Sequence, residues 1–158
     1  MKDTNEMEVI FDSCSANERF ARVAVAAFLT QLNPTVEEVS DVKTAVSEAV
    51  TNSIIHGYDQ ELKSADGSIH KVSIRCRIDK QRFIVIVKDQ GKGIEDVEKA
   101  MLPMYTTKPE LDRSGMGFAF MEAFMDKVEV DSALGEGTTV KMEKTIGKGR
   151  DAWTTQSL

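Results

Sequence analysis

The stretch from Lys71 to Lys88 constrains the fold more than any other. Over Lys71 to Asp79 the residues alternate strictly, with Val72, Ile74, Cys76 and Ile78 set against Lys71, Ser73, Arg75 and Arg77. A period of two belongs to a strand with one buried face and one wet face. Arg82 to Lys88 follows at hairpin distance and contains the run Phe83-Ile84-Val85-Ile86-Val87, which suits a central strand covered on both sides or nearly so. A chain holding this pair must build a sheet and bring apolar surface to cover it.

Helices upstream supply that surface. Met7 to Asp12 reads as a short first strand, and Ser15 with Asn17 is placed to cap a helix from about Glu18 to Gln31, closed by Pro34. Thr35 and Glu38 have capping-box spacing and open a longer helix whose apolar positions Val39, Val42, Ala45, Val46, Ala49, Val50 and Ile54 recur at three and four, up to Gly57. A short helical stretch is expected after Ile94. Pro103 to Gly117 shows no regular period and reads as a lid-like loop. A helix follows over Phe118 to Met125, then strands over Lys127 to Ser132 and Thr138 to Ile146 around the turn Gly135-Glu136-Gly137, with a disordered tail expected over about 147–158. This order predicts an α+β domain, a two-layer sandwich of a mixed, mostly antiparallel sheet with helices on one face.

The length of 158 residues and an apolar fraction of 41% suit one domain spanning 1–158. A net charge of -6 disfavours direct contact with nucleic-acid phosphates. The sequence has no run of about 18 or more apolar residues and no basic segment leading into an apolar one, so it is read as a cytoplasmic chain without membrane contact. Cys14 and Cys76 lack metal-ligand spacing and are expected to be free thiols, Cys76 buried and Cys14 near the surface.

Glu48 and Asn52 stand four apart on the second long helix and therefore share a face. A carboxylate that accepts a proton beside an amide oxygen that holds a hard cation is what magnesium-assisted phosphoryl transfer to a hydroxyl requires; a solvated helix face uses the same residues. Asp89-Gln90-Gly91-Lys92-Gly93 follows the most apolar strand, where glycines allow a tight bend and a close approach to a ligand, and where Asp89 can accept from an adenine amino group. Alone, the motif is equally an ordinary turn. Ser114-Gly115-Met116-Gly117 opens a helix, a natural phosphate site with Lys108 and Arg113 nearby, or a ligand-free helix entry. A P-loop and a dinucleotide-binding glycine pattern are both missing, and His56 and His70 stand too isolated in sequence to argue for a metal site.

In chain order, Ser47-Glu48-Ala49-Val50-Thr51-Asn52, Asp89 to Gly93, Gly115 to Gly117 and Gly135 to Thr138 resemble the nucleotide-binding domain shared by gyrase, heat-shock chaperones, sensor histidine kinases and MutL proteins, the GHKL superfamily. Within it, EAVTNSIIHGY over 48–58 and YTTKPELDRSGMG over 105–117 look like the small anti-sigma serine kinases, those of sporulation above all. The resemblance covers the chain from about Glu8 to Ile146. It implies ATP or ADP and Mg2+ as ligands, with Glu48 as general base, Asn52 on the metal and Asp89 on adenine. Gly91 and Gly93 would form the adenine wall, and Thr138 would bind the base through its hydroxyl. Thr107, Lys108, Ser114, Gly115, Met116 and Gly117 would form a lid of about 103–117 over the phosphates. The same resemblance implies a homodimer that holds a sigma factor and phosphorylates a serine of an anti-anti-sigma protein, with Glu18 and Arg22 at the partner surface. Two other functions remain open: a nucleotide-gated sigma-binding module without kinase activity, and a stress-response kinase of the anti-sigma-B type. The catalytic half of a histidine kinase is disfavoured, since no phosphoacceptor hairpin fits in the length.

Overall fold

The computed structural model describes residues 3–102 and 117–147. Five strands form one sheet in the order β1-β2-β3-β5-β4: β1 Thr4–Asp12, β2 Lys71–Asp79, β3 Arg82–Asp89, β4 Lys127–Ser132 and β5 Thr138–Thr145. The α-helices among the described residues are α1 Ala16–Leu29, α2 Val36–Asn52, the short α3 Val97–Ala100 and α4 Gly117–Phe124. All four strand pairings are antiparallel. The mostly antiparallel sheet expected from the sequence is antiparallel at every pairing among the described residues, because the β4–β5 hairpin folds back so that β5, not β4, lies beside β3.

Alternation along β2 places Val72, Ile74 and Cys76 in the core with no exposure, and β3 adds Phe83, Val85 and Val87. Against this face pack Ala21, Val25 and Leu29 of α1 and Val42, Val46, Ala49 and Val50 of α2. Burial pushes the Cys76 thiol up to about 12, so it is an inert core residue, and Cys14 is free and partly exposed.

Among the described residues, no helix covers the other face of the sheet. Ile84 is nevertheless only 7% exposed, because it shares a groove with the side chains of Arg75, Arg77, Arg82 and Lys141, whose aliphatic stems shield it. Cross-strand ion pairs knit these groups together: Arg82 to Glu143 through two hydrogen bonds at 3.0 and 3.2 Å, Arg77 to Glu6 and Lys71 to Asp12. The double coverage expected of β3 is therefore met by packed helices on one side and charged stems on the other.

Local signals at the helix ends fare unequally. Thr35 and Glu38 form the predicted capping box, Glu38 N–H donating to Thr35 Oγ1 at 3.1 Å and Thr35 N–H to Glu38 Oε1 at 2.9 Å. The expected cap on α1 is corrected: Ser15 has helical dihedrals and makes no side-chain cap bond, while Asn17 Nδ2 donates to the Asp12 carbonyl and ties the helix to β1. Beyond Asn52 the second helix widens into a π-helical turn over Ser53–Gly57. The chain leaves that turn through two left-handed residues, Asp59 (φ 54°) and Gln60 (φ 60°).

Candidate functional site

A cleft of about 830 Å³ opens between the end of α2, the turn after β3 and the start of α4, with Asn52, Asp89, Gly93, Gly117 and Thr138 among its walls. Its volume falls in the range of small-molecule sites.

Helical spacing sets one wall. Asn52 lies one turn beyond Glu48 on α2, and both meet Gly117 at the start of α4. A methyl group on Gly117 would stand 3.1 Å from Asn52 Nδ2 and 3.4 Å from Glu48 Oε2. The glycine thus lets α4 approach the carboxylate and the amide closely. The donor set is a carboxylate and an amide oxygen, both hard ligands, and the described residues hold no cluster of three or more His, Cys, Asp or Glu able to bind a metal. The carboxylate and amide oxygens fit Mg2+ by their chemistry, since that hard cation takes one or two protein oxygens beside water and a nucleotide's phosphates.

Asp89 forms the opposite wall. It is 3% exposed, and its Oδ2 accepts the Ser53 hydroxyl at 2.8 Å while Oδ1 accepts the Gly91 N–H at 2.9 Å. Burial raises its pKa, against the opposing effect of these hydrogen bonds. Each carboxylate oxygen has two lone-pair sites, so acceptor capacity remains for a donor in the cleft.

Close backbone packing fixes the turn that follows. A Cβ at Gly91 would lie 2.2 Å from the Gly57 carbonyl oxygen, and one at Gly93 (φ +78°) 2.0 Å from that of Ala133. Lys92 N–H donates to the Gly57 carbonyl at 3.0 Å, and the Lys92 carbonyl accepts from Gly135 N–H at 2.8 Å. Gly57, expected only to end a helix, has its Cα against the Asp89 carboxylate, where an added Cβ would come within 3.0 Å of Oδ1.

On the third wall Thr138 is joined by Ser132. The Ser132 hydroxyl accepts Ile94 N–H at 2.8 Å and donates to the Gly137 carbonyl at 2.9 Å. Its one proton is then used, which makes Thr138 the donor in their 2.8 Å pair.

Asn52, Asp89, Gly93, Gly117 and Thr138 thus gather at one cleft, with Glu48 at its margin beside Gly117 and Gly91 behind the turn. Glu18 and Arg22 lie elsewhere, on α1, with Arg22 Nε 3.9 Å from Glu18 Oε1. Thr107, Lys108, Arg113, Ser114, Gly115 and Met116, with the rest of the expected lid and the tail beyond Gly147, lie outside the described residues. Ser53 and Tyr58 lie in the run over 48–58 that carries the resemblance, but neither they nor Ser132 received a role from the sequence: each acts through a partner at least 32 residues away, and no local pattern announces such a bond.

A family model for the histidine kinase-like ATPase domain matches residues 13–144. The chain is 52% identical over 149 residues to the anti-sigma F factor of Oceanobacillus iheyensis, covering 94% of this chain and 98% of that one. It is 57% identical over 143 residues to the anti-sigma F factor of Clostridium novyi, covering 90% and 95%. Among solved structures, it is similar to the RsbU and RsbW domains of Rv1364c from Mycobacterium tuberculosis, with a TM-score of 0.62 and 18% identity over 90% of this chain and 32% of that chain. The last likeness is one of fold.

Proposed function

This chain belongs to the histidine kinase-like ATPase family and, within it, to the anti-sigma F factors, and from that membership we propose that it is an ATP-dependent anti-sigma factor. In this reading it binds and inhibits a sporulation sigma factor and phosphorylates a serine of its anti-anti-sigma antagonist. The observation that carries the reading is the pairing, across one cleft, of a buried acceptor for a base at Asp89 with the amide of Asn52, which has the Glu48 carboxylate at the cleft's margin beside Gly117.

Asp89 receives the adenine amino group, Thr138 adds a hydroxyl beside it, and the glycines at 91 and 93 bring the backbone close to the base. Asn52 would hold Mg2+, which when bound would supply positive charge against the charge developing on the transferred group. Glu48 accepts the proton of the attacking serine hydroxyl as that oxygen bonds to the γ-phosphorus and the bond to the ADP oxygen breaks.

Partners meet α1. Arg22 projects from it with its side chain 39% exposed; Phe20 and Val23, on another face of the same helix, are 53% and 60% exposed. An exposed arginine makes a suitable anchor for a protein partner, and Glu18, one turn before it on the same face, extends the surface. The protein acts as a homodimer, away from nucleic acid and membrane; no helix among the described residues is long and apolar enough to cross a bilayer.

The test is incubation of the purified protein with γ-labelled ATP, Mg2+ and the anti-anti-sigma protein, beside capture of the sigma factor in ATP. Label appearing on a serine and abolished by a chelator is the expected result. Sigma capture without transfer would reduce the protein to a nucleotide-gated binding module.

A further inference from the structure

Tyr58 sits where the β2–β3 ladder stops. The register pairs Val72 with Asp89, and the next rung would set Lys71 opposite Gln90. That rung is occupied by a side chain instead: the Tyr58 hydroxyl accepts Gln90 N–H at 2.7 Å and donates to the Lys71 carbonyl at 2.7 Å. The phenol takes the place of a direct backbone bond and separates the two strands there. β3 therefore ends at Asp89, and Gln90 to Gly93 turns toward the cleft.

The hydroxyl is held in place from several directions. Tyr58 is 5% exposed, and its ring stacks on His70 with centroids 4.2 Å apart and planes 17° from parallel. Its own N–H donates to the Ser53 carbonyl at 3.0 Å, the bond that closes the π-helical turn. That wider turn presents Ser53, Gly57 and Tyr58 together to the Asp89 turn: Ser53 on the carboxylate, the Gly57 carbonyl on Lys92 N–H, and Tyr58 on Gln90 N–H. π-Turns of this kind concentrate at functional sites.

We propose that Tyr58 is a positioning residue for the nucleotide turn, its hydroxyl holding Gln90 one rung away from β2 so that Asp89 and the glycines keep the form that receives the base. The inference rests on the reading of the cleft as a nucleotide site. Without the hydroxyl, Gln90 N–H and the Lys71 carbonyl lose their shared partner and close on each other or on water, and the receptive turn becomes a minor population in the free protein. Apparent affinity falls by that population fraction, whereas groups that act on the phosphates keep their places.

The experiment compares wild type with Tyr58→Phe, which keeps the ring and its stack. ADP binding is measured by calorimetry, thermal unfolding without nucleotide, and phosphoryl transfer at varied ATP. The expected result is a loss of ADP affinity of about 5- to 30-fold, the range for one buried hydrogen-bonding group. KM for ATP rises in parallel, kcat stays near wild type, and the nucleotide-free protein unfolds within a few degrees of wild type. His70→Ala, which leaves the hydroxyl but removes the surface that seats the ring, shifts affinity in the same direction by a smaller factor. Wild-type ADP affinity in folded Tyr58→Phe overturns the proposal. If that variant does not fold, unchanged ADP affinity in His70→Ala overturns it instead. Failure of wild type itself to bind ADP would overturn the nucleotide reading beneath the proposal, a different outcome from the other two.

Discussion

Ser53 donates its hydroxyl hydrogen to Asp89 Oδ2 at 2.8 Å across 36 residues of sequence, so the residue that follows the metal-binding Asn52 of the proposed site also orients its base-binding carboxylate. The end of α2 thereby serves both ends of the cleft. Burial raises the pKa of Asp89 above its ordinary value of 3.8, and the sign of the consequence follows from linkage. The folded state binds the proton more tightly than the unfolded one, so this group's contribution to stability is fully present below its unfolded pKa and is lost as pH rises through the raised value.

Asp89→Asn removes that pH-dependent loss. The amide can still accept Gly91 N–H through its oxygen and donate to the Ser53 oxygen through its nitrogen, with the Ser53 hydroxyl hydrogen turning to another acceptor. The variant is expected to be as stable as wild type or more so at neutral pH, with the difference in unfolding free energy growing from about pH 4 upward, while ADP affinity falls. Urea unfolding at several pH values, with calorimetry at neutral pH, checks both halves. A variant that is less stable at neutral pH and binds ADP normally would refute both.

Gly117→Ala places a methyl group 3.1 Å from Asn52 Nδ2 and 3.4 Å from Glu48 Oε2. These are the ends of side chains, which can give way at a cost of roughly 1 kcal/mol or less in rotamer strain. The fold should survive. The displaced Asn52 should hold Mg2+ less well, so the magnesium dependence of ATP binding shifts to higher concentration. A magnesium titration of ATP affinity in both proteins decides this; superimposable curves would separate Gly117 from the metal position.

Gly135 and Gly137 share left-handed dihedrals, at φ +80° and +78°, but not surroundings. Nothing lies within 4 Å of a Cβ built on Gly135, whereas one on Gly137 meets the Asp89 carbonyl oxygen at 2.2 Å. Gly135→Ala should therefore cost about 1–2 kcal/mol, the left-handed penalty alone. Gly137→Ala should cost clearly more and disturb Asp89 through its own backbone. Chemical unfolding of the two variants side by side is sufficient, and equal losses would mean that the contact at Gly137 relaxes freely.

Much of the frame was legible because its causes are local. The alternation over Lys71 to Asp79, the capping box at Thr35 and Glu38, and the four-residue spacing of Glu48 and Asn52 each express a regular period or a contact within one turn. The start of β1 was not legible: Thr4 to Glu6 carry no apolar signal and form strand only because β2 offers its edge in register, Thr4 opposite Asp79. The Ser15 cap failed for the converse reason, since the tertiary tie from Asn17 to Asp12 sets the entry of α1. The motifs located the cleft, but the groups that hold its walls did not show in the sequence. Ser53, Tyr58 and Ser132 are common residues whose importance arises only when the sheet and α2 bring distant backbone to their hydroxyls.

Glu48 separates a kinase from a gated binding module. A serine hydroxyl is a weak nucleophile at neutral pH, and a placed carboxylate that takes its proton contributes about 100- to 10,000-fold to the rate. Glu48→Gln keeps the length and planar shape of the side chain beside Gly117, where Oε2 now lies, but removes the basicity. Asn52 and Asp89 are untouched, so ATP affinity and sigma capture should persist while transfer to the anti-anti-sigma protein falls by that factor, in kcat more than in KM. The antagonist then accumulates unphosphorylated, and the variant should respond to it in a sigma-release assay as wild type does in a non-hydrolysable ATP analogue. A phosphoryl-transfer time course with both proteins, beside sigma capture in ATP, supplies the comparison. Equal transfer rates would remove Glu48 from the role of base and move the search to the residues of 103–116.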